Sequence, residues 1–324
     1  MIKVSIAGGT GYTAGELLRI LLNHPEVEII AVTSTTTAGE PVSAVHRELL
    51  GETDIRFCES PGEPDVLFLC LGHGVSKEYL ATHKLPDHCK IIDLGNDFRL
   101  GDKFNGNGFV YGLCELNREQ IKSAAYIANP GCFATSILLG LMPLVKSGMV
   151  YDDIHITAIT GSTGAGKKPT ETGHFSYRDN NLSIYKLFSH QHLGEIRRTL
   201  EPLSSDKLPA INFVPFRGDF TRGIFASIYT KAAEGVDIED LIAFYRDFYK
   251  DSPFVFVSDS EVSLKEVVNT NKCYINIVHK NGQIHISSII DNLIKGASGQ
   301  AVQNMNLMFG LKEDMALRLK ASAF

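Results

Sequence analysis

Apolar runs alternate with helical patterns along the first part of the chain. Residues 3–7 and 27–33 are predicted strands on either side of a helix over 16–23, whose leucines fall on one side. Residues 65–71 form a nearly continuous apolar run, which is typical of a parallel strand covered on both faces, and residues 91–94 are a further strand. This alternation of strand and helix predicts a parallel sheet with right-handed crossovers.

The pattern changes after residue 132. An apolar helix over 134–146 is followed by strand-like runs rich in β-branched and aromatic residues, at 154–160, 211–215, 224–230, 274–279 and 284–290. Asn281-Gly282 is a hairpin signal between the last two. With a helix over 238–249, this region is expected to form a mainly antiparallel sheet with helices on one side. A last helix over 299–311 is expected to pack back on the first domain.

Composition limits the classes of partner. The chain has 324 residues, enough for about two domains, and its formal charge is 31 − 37 = −6. No basic block or long apolar stretch favours nucleic acid or membrane as a partner. The six cysteines lack paired spacing, and a strand begins at once where a signal peptide would lie. We therefore expect free thiols and a cytoplasmic location.

The segment after the first strand is rich in glycine. Gly8, Gly11 and Ala14 give the spacing G-x-x-G-x-x-A between a strand and a helix, where backbone amides and the helix N-terminus can hold a pyrophosphate. A tight turn that needs small residues is the alternative. The second strand ends in hydroxyl residues, including Ser34 and Thr35, with no acid, which favours NADP(H) over NAD. No arginine lies in that turn, although Arg47 is within reach along the chain.

These patterns predict an α/β chain with two domains. Residues 1–131 and 297–324 would form a Rossmann-type NADP-binding domain with a parallel sheet. Residues 132–296 would form an α+β catalytic and dimerisation domain. The apolar second sheet suggests a homo-oligomer, a dimer or a tetramer.

Cys132 differs from the other five cysteines. It follows the turn Pro130-Gly131 and begins an apolar helix, whose N-terminus lowers the pKa of a thiol. The remaining cysteines are interpreted as small core residues. A nucleophilic thiol beside a dinucleotide-binding domain suggests hydride transfer to or from an acyl group held on sulfur.

A thiol nucleophile needs a proton partner, and the segment 189–195 offers one. In an extended segment His190 and His192 would face the same side, while Glu195 could orient an imidazole. A zinc site is an alternative, but no second ligand cluster is evident, so no metal is predicted. Two surface histidines are the remaining alternative.

Two other segments suggest anion binding. Arg99 follows the strand 91–94 at the edge of the sheet where ligands bind, and could clamp a carboxylate or phosphate. The loop 161–168 superficially suggests a phosphate-binding loop for ATP, but Lys168 replaces the required hydroxyl, so a loop that lines the active site is favoured. Arg222-Gly223 is either a structural turn or part of the site.

Taken together, these residues resemble the N-acetyl-gamma-glutamyl-phosphate reductases, NADPH-dependent enzymes of arginine biosynthesis. The resemblance covers essentially the whole chain, and NPGC with H-x-H-x-x-E is its most specific part. Aspartate-semialdehyde dehydrogenases share the architecture and the thiol but build the histidine motif differently. The matching segments are 8–16 (GGTGYTAGE), 97–100 (DFRL), 110–117 (VYGLCELN), 129–132 (NPGC), 164–166 (GAG), 190–196 (HQHLGEI), 221–223 (TRG) and 291–304 (DNLIKGASGQAVQN).

The resemblance implies roles for individual residues. Cys132 would be the nucleophile and His192 the acid/base, with Arg99, His190 and Glu195 binding or orienting the substrate. The cofactor-binding residues implied by motif and resemblance are Gly8, Thr10, Gly11, Tyr12, Thr13, Ser34, Thr35, Asn292 and Gln300.

The implied reaction is NADPH-dependent reduction of N-acetyl-gamma-glutamyl phosphate to the 5-semialdehyde through a cysteine thioester. Phe133-Ala134 replaces a Tyr-Pro pair frequent in the family, and this departure leaves the acyl group open. The alternatives are the N-succinyl substrate and an enzyme like aspartate-semialdehyde dehydrogenase. A non-catalytic NADP sensor is disfavoured, because both the thiol and its histidines are present.

Overall fold

The computed structural model describes residues 1–72 and 74–322, which fold into two compact units. The first comprises Met1–Pro130 and Ala297–Arg318, and the second comprises Gly131–Gly296 with residues 319–322. Gly131 and residues 319–322 lie in the second unit, whereas the boundaries predicted from the sequence put them in the first domain. Residue 322 lines a cavity together with Phe220 and Leu264.

The first unit is built around a parallel sheet. Its elements are β1 (Ile2–Ala7), α1 (Tyr12–Leu21), β2 (Val27–Thr33), β3 (Phe57–Cys58), β4 (Val66–Leu69), α2 (Ser76–Thr82), β5 (Lys90–Asp93), β6 (Lys103–Phe104), β7 (Asn107–Gly108), β8 (Val110–Tyr111), α3 (Cys114–Ser123), β9 (Tyr126–Ala128) and α8 (Gly299–Met308). Among the described residues the sheet order is β3-β2-β1-β4-β5-β9-β8, with every neighbouring pair parallel. The predicted Rossmann-type architecture is therefore confirmed.

Burial explains why the central strands could be recognised. All four residues of β4 are buried, because helices cover both faces of a doubly wound sheet. On one face, Leu67, Leu69 and Ile91 pack with Phe98 in a continuous core. The apolar residues of α1 are buried as well, which fixes the glycine-rich loop between β1 and α1.

The second unit is built around a mixed sheet. Its elements are α4 (Cys132–Lys146), β10 (Ile154–Thr160), α5 (Phe175–Arg178), β11 (Ser183–Ile184), α6 (His192–Leu200), β12 (Ile211–Arg217), β13 (Ile224–Lys231), α7 (Ile238–Phe248), β14 (Val255–Ser258), β15 (Cys273–Lys280) and β16 (Gln283–Ile290). In the described part of the chain the order is β11-β12-β10-β13-β16-β15-β14. The pairs β10–β12 and β14–β15 are parallel and the other four are antiparallel, so the mainly antiparallel character is confirmed. Asn281 and Gly282, both with positive φ, join β15 to β16 as predicted.

Helix α4 is the core of the second unit. Its residues from Phe133 to Val145 are all buried, although Pro143 lies inside the helix. A proline has no N–H, so the Leu139 carbonyl loses its usual donor one turn earlier. The Tyr249 hydroxyl donates to that carbonyl at 2.5 Å, and the Tyr245 hydroxyl donates to the Gly140 carbonyl at 2.7 Å. These two hydrogen bonds supply donors to carbonyls of α4 near the proline and connect α4 to the C-terminal end of α7.

Candidate active site

Cys132 is the first residue of α4. Gly131 precedes it in an extended conformation and accepts a hydrogen bond from the Thr135 N–H at 2.8 Å, which closes the first turn. The N-cap residue, Gly131, has no side chain of its own with which to cap this terminus. The partial positive charge at the helix N-terminus favours the Cys132 thiolate.

Glu195 connects the nucleophile to the histidines. It is buried in α6, and its Oε2 accepts a hydrogen bond from the Gly131 N–H at 3.0 Å. Its other oxygen, Oε1, lies 3.8 Å from the His192 Nε2. One carboxylate thus holds both the turn before Cys132 and the imidazole of His192.

His190 and His192 lie side by side, with ring centroids 4.6 Å apart and nearly perpendicular planes. The segment is not extended, because His192 begins α6 and the two residues meet across the turn that enters this helix. The His192 N–H donates to the His190 Nδ1 at 3.2 Å, which places the proton of a neutral His190 ring on Nε2. Burial, with a smaller contribution from Lys186, lowers the pKa of His190 to about 4. His190 is therefore a neutral hydrogen-bond donor near pH 7.

Two further residues, Tyr185 and Arg217, complete this cluster, and neither belongs to a recognisable sequence motif. The Tyr185 ring lies 5.6 Å from that of His190 and 6.5 Å from that of Phe133. The Arg217 guanidinium stacks over the Tyr185 ring at 4.5 Å. Burial raises the pKa of Tyr185, and the charge of Cys132 adds to this. Arg217 is the last residue of β12 in the sheet of the second unit, and this place at a strand end is the signal that could have drawn attention to it.

The other side of Cys132 is closed by a glycine. A Cβ on Gly296 would lie 2.8 Å from the Cβ of Cys132, so a larger residue there would force the two positions apart. Gly296 lies in a π-helix over Ile294–Ser298, a feature frequent at functional sites. Its N–H donates to the backbone carbonyl of Asp291 at 2.9 Å, and the buried Asp291 carboxylate binds the Arg222 guanidinium.

Asn292, predicted to contact the cofactor, braces a loop of the second unit. Its Oδ1 accepts from the Gly223 N–H at 2.7 Å, and its Nδ2 donates to the Thr163 Oγ1 at 3.0 Å. It thereby connects the glycine-rich loop after β10 to the turn before β13. Gln300 is buried in α8 of the first unit, so the two predicted residues belong to different units. Their cofactor contacts stay predictions.

The glycine-rich loop of the first unit fits a dinucleotide pyrophosphate. Gly8 has φ +78° and a Cβ there would lie 2.7 Å from the Cys70 carbonyl oxygen, while a Cβ on Gly9 would lie 2.4 Å from the Val32 Cγ1. Gly11 precedes α1 with nothing within 4 Å of its Cβ position, and no side chain caps the helix. The backbone is thus shaped by glycines and open where an anion would approach. The neighbouring Thr10 and Thr13 are partly exposed, and Tyr12 is 40% exposed.

An arginine side chain, Arg56, lies against the turn after β2, and the sequence analysis did not predict it. Ser34 accepts from the Thr37 hydroxyl at 2.7 Å, and Thr35 is exposed. Arg56, just before β3, donates to the Gly39 carbonyl at 2.9 Å and so lies against this turn. Its side chain comes from the next strand of the sheet, which is why the turn itself showed no arginine.

Arg99 is buried in the first unit and bound to the backbone. Its Nε donates to the Asn129 carbonyl at 2.9 Å and its Nη2 to the Leu94 carbonyl at 3.0 Å. These bonds fix the segment that leads to the nucleophile, and the predicted contact with substrate stays a prediction. In the same unit, the Ser298 hydroxyl donates to the Thr13 carbonyl at 2.8 Å, which fastens the start of α8 to α1.

A search of the described residues finds no group of three histidine, cysteine or acidic residues that could hold a metal ion. The helices described are all too short or too polar to cross a membrane.

Two family models match the chain. The semialdehyde dehydrogenase NAD binding domain matches residues 3–124, and the semialdehyde dehydrogenase dimerisation domain matches residues 132–292. The first unit therefore carries a nicotinamide dinucleotide-binding domain, and the second carries a domain described for dimerisation.

Solved structures share the fold. Aspartate semialdehyde dehydrogenase II of Vibrio cholerae has a TM-score of 0.72 at 16% identity, covering 96% of this chain and 98% of that one. An aspartate semialdehyde dehydrogenase with NADP from Candida albicans has a TM-score of 0.68 at 14% identity, covering 95% and 98%. At these identities the likeness concerns the fold alone.

Curated relatives are much more similar in sequence. N-acetyl-gamma-glutamyl-phosphate reductases of Christiangramia forsetii and Flavobacterium johnsoniae are 53% and 54% identical, each over 100% of both chains. The reductase of Phocaeicola vulgatus is 52% identical, again over 100% of both chains. The chain therefore belongs to the N-acetyl-gamma-glutamyl-phosphate reductases, within the semialdehyde dehydrogenase family.

Proposed function

We propose that this chain is an acyl-phosphate reductase that converts N-acetyl-gamma-glutamyl phosphate to N-acetyl-glutamate 5-semialdehyde in arginine biosynthesis. The observation that carries the proposal is the placement of Cys132 at the N-terminus of α4, with Glu195 binding the turn before it and His192 beside that carboxylate. The names of the full-length relatives support the choice of substrate.

The first half-reaction forms a thioester. His192 takes the proton of the Cys132 thiol, the thiolate attacks the γ-carbonyl carbon, and the bond to phosphate breaks. Glu195 stabilises the resulting imidazolium. Backbone N–H groups at the start of α4 stabilise the negative charge that develops on the carbonyl oxygen.

The second half-reaction releases the aldehyde. A bound nicotinamide dinucleotide supplies a hydride, which the thioester carbon accepts. His192 gives its proton to the alkoxide oxygen that hydride addition forms, which yields a thiohemiacetal. It takes this proton back as the carbon–sulfur bond breaks, which releases the aldehyde and leaves Cys132 as the thiolate. His190, neutral with its proton on Nε2, donates a hydrogen bond to the same substrate.

The cofactor is proposed to be NADP(H). The residues proposed to hold it are those of the loop from Gly8 to Thr13, with Ser34 and Thr35 near the ribose. Arg56 supports the preference, because it adds a positive charge to a turn that has no acid.

The assembly is proposed to be a homo-oligomer formed through the sheet face of the second unit that α4 does not cover. Tyr229 and Val278, exposed by 44% and 41%, lie on this face. The cytoplasmic location stays a prediction.

A thiol substitution tests the thioester route. Cys132→Ser and Cys132→Ala should lose nearly all turnover while NADPH still binds, as measured by quenching of its fluorescence. Near-normal turnover in either variant would refute the thioester. Comparison of N-acetyl-glutamyl, N-succinyl-glutamyl and aspartyl phosphates in the same NADPH oxidation assay identifies the acyl substrate.

A further inference from the structure

Arg178 is a buried cation, and none of the acidic residues that the structure describes forms an ion pair with it. It ends α5, it is 7% exposed, and its Nη2 donates to the Gly218 carbonyl. Within the described residues, neither its Nε nor its Nη1 has a hydrogen-bond partner. A guanidinium stays protonated in proteins, so these buried donors demand an acceptor.

A second arginine, Arg217, lies on the chain segment whose carbonyl accepts from Arg178. Arg217 immediately precedes Gly218, and its Nη1 donates to the Thr172 hydroxyl at 2.6 Å. No carboxylate of the described residues forms an ion pair with either arginine. The nearby acid Asp219 instead accepts from the Asn180 N–H at 2.8 Å. Two positive charges are thus gathered at the end of β12 without neutralisation.

This pair of arginines is connected to the nucleophile by aromatic contacts. Arg217 stacks on Tyr185, and Tyr185 in turn contacts Phe133 and His190. Phe133 directly follows Cys132 in α4. The charge of Cys132 also acts on Tyr185 and raises its pKa, after the larger effect of burial. Arg217 therefore lies in the same cluster as the reacting sulfur, and Arg178 binds the carbonyl of the residue that follows it.

We propose that Arg178 and Arg217 form an oxyanion-binding subsite that holds a carboxylate or phosphate of the substrate while Cys132 reacts. The proposal rests on the proposed function, because an N-acyl-glutamyl phosphate carries both kinds of oxyanion. Planar guanidinium groups bind such oxyanions through paired N–H donors.

The reverse reaction separates the two sources of the oxyanion. It uses N-acetyl-glutamate 5-semialdehyde, inorganic phosphate and NADP, so each anion has its own KM. Arg178→Gln and Arg217→Gln should raise one KM roughly 10- to 100-fold, the loss expected for a hydrogen bond to a charged group. A higher KM for phosphate identifies the phosphate, and a higher KM for the semialdehyde identifies its carboxylate.

Matched variants keep the test specific. Arg246→Gln changes an exposed arginine of α7 and should leave both constants unchanged. Arg217→Lys keeps the charge without the planar fork, and should recover only part of the loss. If Arg178→Gln fails to fold, Arg178→Lys and the Arg217 variants carry the measurement. Unchanged KM values for both anions would overturn the proposal.

A second readout does not need turnover. Iodoacetate and iodoacetamide alkylate the same thiolate, but only iodoacetate is an anion that the arginine pair would attract. The ratio of the two rates at Cys132, followed by mass spectrometry, should fall at least several-fold in Arg217→Gln and remain unchanged in Arg246→Gln. An unchanged ratio in Arg217→Gln would count against the subsite. A wild-type chain that shows this ratio but reduces no acyl phosphate would refute the proposed function alone.

Discussion

The contact between Gly296 and Cys132 gives the sharpest test of how the nucleophile is held. In Gly296→Ala the new Cβ would lie 2.8 Å from the Cβ of Cys132, 3.2 Å from its Cα and 3.3 Å from the Ile290 Cδ1. Ordinary contact begins at 3.4 Å, so Cys132 and the alanine must separate by at least 3.4 − 2.8 = 0.6 Å. Because α4 is buried along its length, most of this displacement is expected at the first turn, where the sulfur lies.

The expected loss follows from that displacement. A misplacement of about 1 Å can cost about 100-fold in rate, so about 0.6 Å should cost roughly 10-fold in kcat/KM. Overpacking should also lower the free energy of unfolding by about 1–3 kcal/mol. Both are measured against Gly108→Ala, a glycine with nothing within 4 Å of its Cβ position. Wild-type kcat/KM and unfolding free energy in Gly296→Ala would refute the reasoning.

Three more substitutions test separate parts of the molecule. Arg56→Gln should raise the KM for NADPH roughly 10-fold and leave that for NADH unchanged, and equal changes for both would exclude contact with the 2′-phosphate. Burial raises the pKa of Asp93 to about 6 from 3.8, so the folded state binds this proton more tightly than the unfolded chain. Wild-type stability should therefore fall by about 3 kcal/mol as pH rises from about 4 to about 6. Urea unfolding should show that Asp93→Asn is more favourable relative to wild type at pH 8 than at pH 4.5, and an equal difference at both values would contradict this. Because the pKa of His190 is lowered to about 4, His190→Gln should lower kcat/KM without removing its pH dependence between about 5.5 and 8, and loss of that dependence would assign the titrating group to His190.

The sequence predicted the parts of the fold whose signals are local. The strand over Val27–Thr33 was predicted with its observed bounds, because His24-Pro25 before it and a run of hydroxyl residues after it mark both ends. The helix after the glycine-rich loop begins at Tyr12, four residues before its predicted start. Its first turn consists of small and polar residues that are needed for an open N-terminus, and these carry no apolar periodicity.

The site was less predictable where it depends on tertiary contacts. Cys132 could be singled out because the turn before it and the helix that it begins are its neighbours both in sequence and in space. Tyr185 and Arg217 were missed, since a ring stacked on a guanidinium arises from two segments with no shared spacing. The backbone carbonyls that accept from the Arg99 guanidinium could not be identified from the sequence, and the contact of Arg99 with substrate stays a prediction.

The proline inside α4 has a consequence for how the sequence can change. Pro143 removes a donor from the Leu139 carbonyl, and the Tyr249 hydroxyl replaces it from a different helical segment. Loss of that hydroxyl leaves a buried carbonyl unpaired only while the proline is present, because any other residue at 143 restores the backbone donor. Positions 143 and 249 should therefore be epistatic. Loss of the Tyr249 hydroxyl should destabilise the protein when residue 143 is proline and have little effect when it is not.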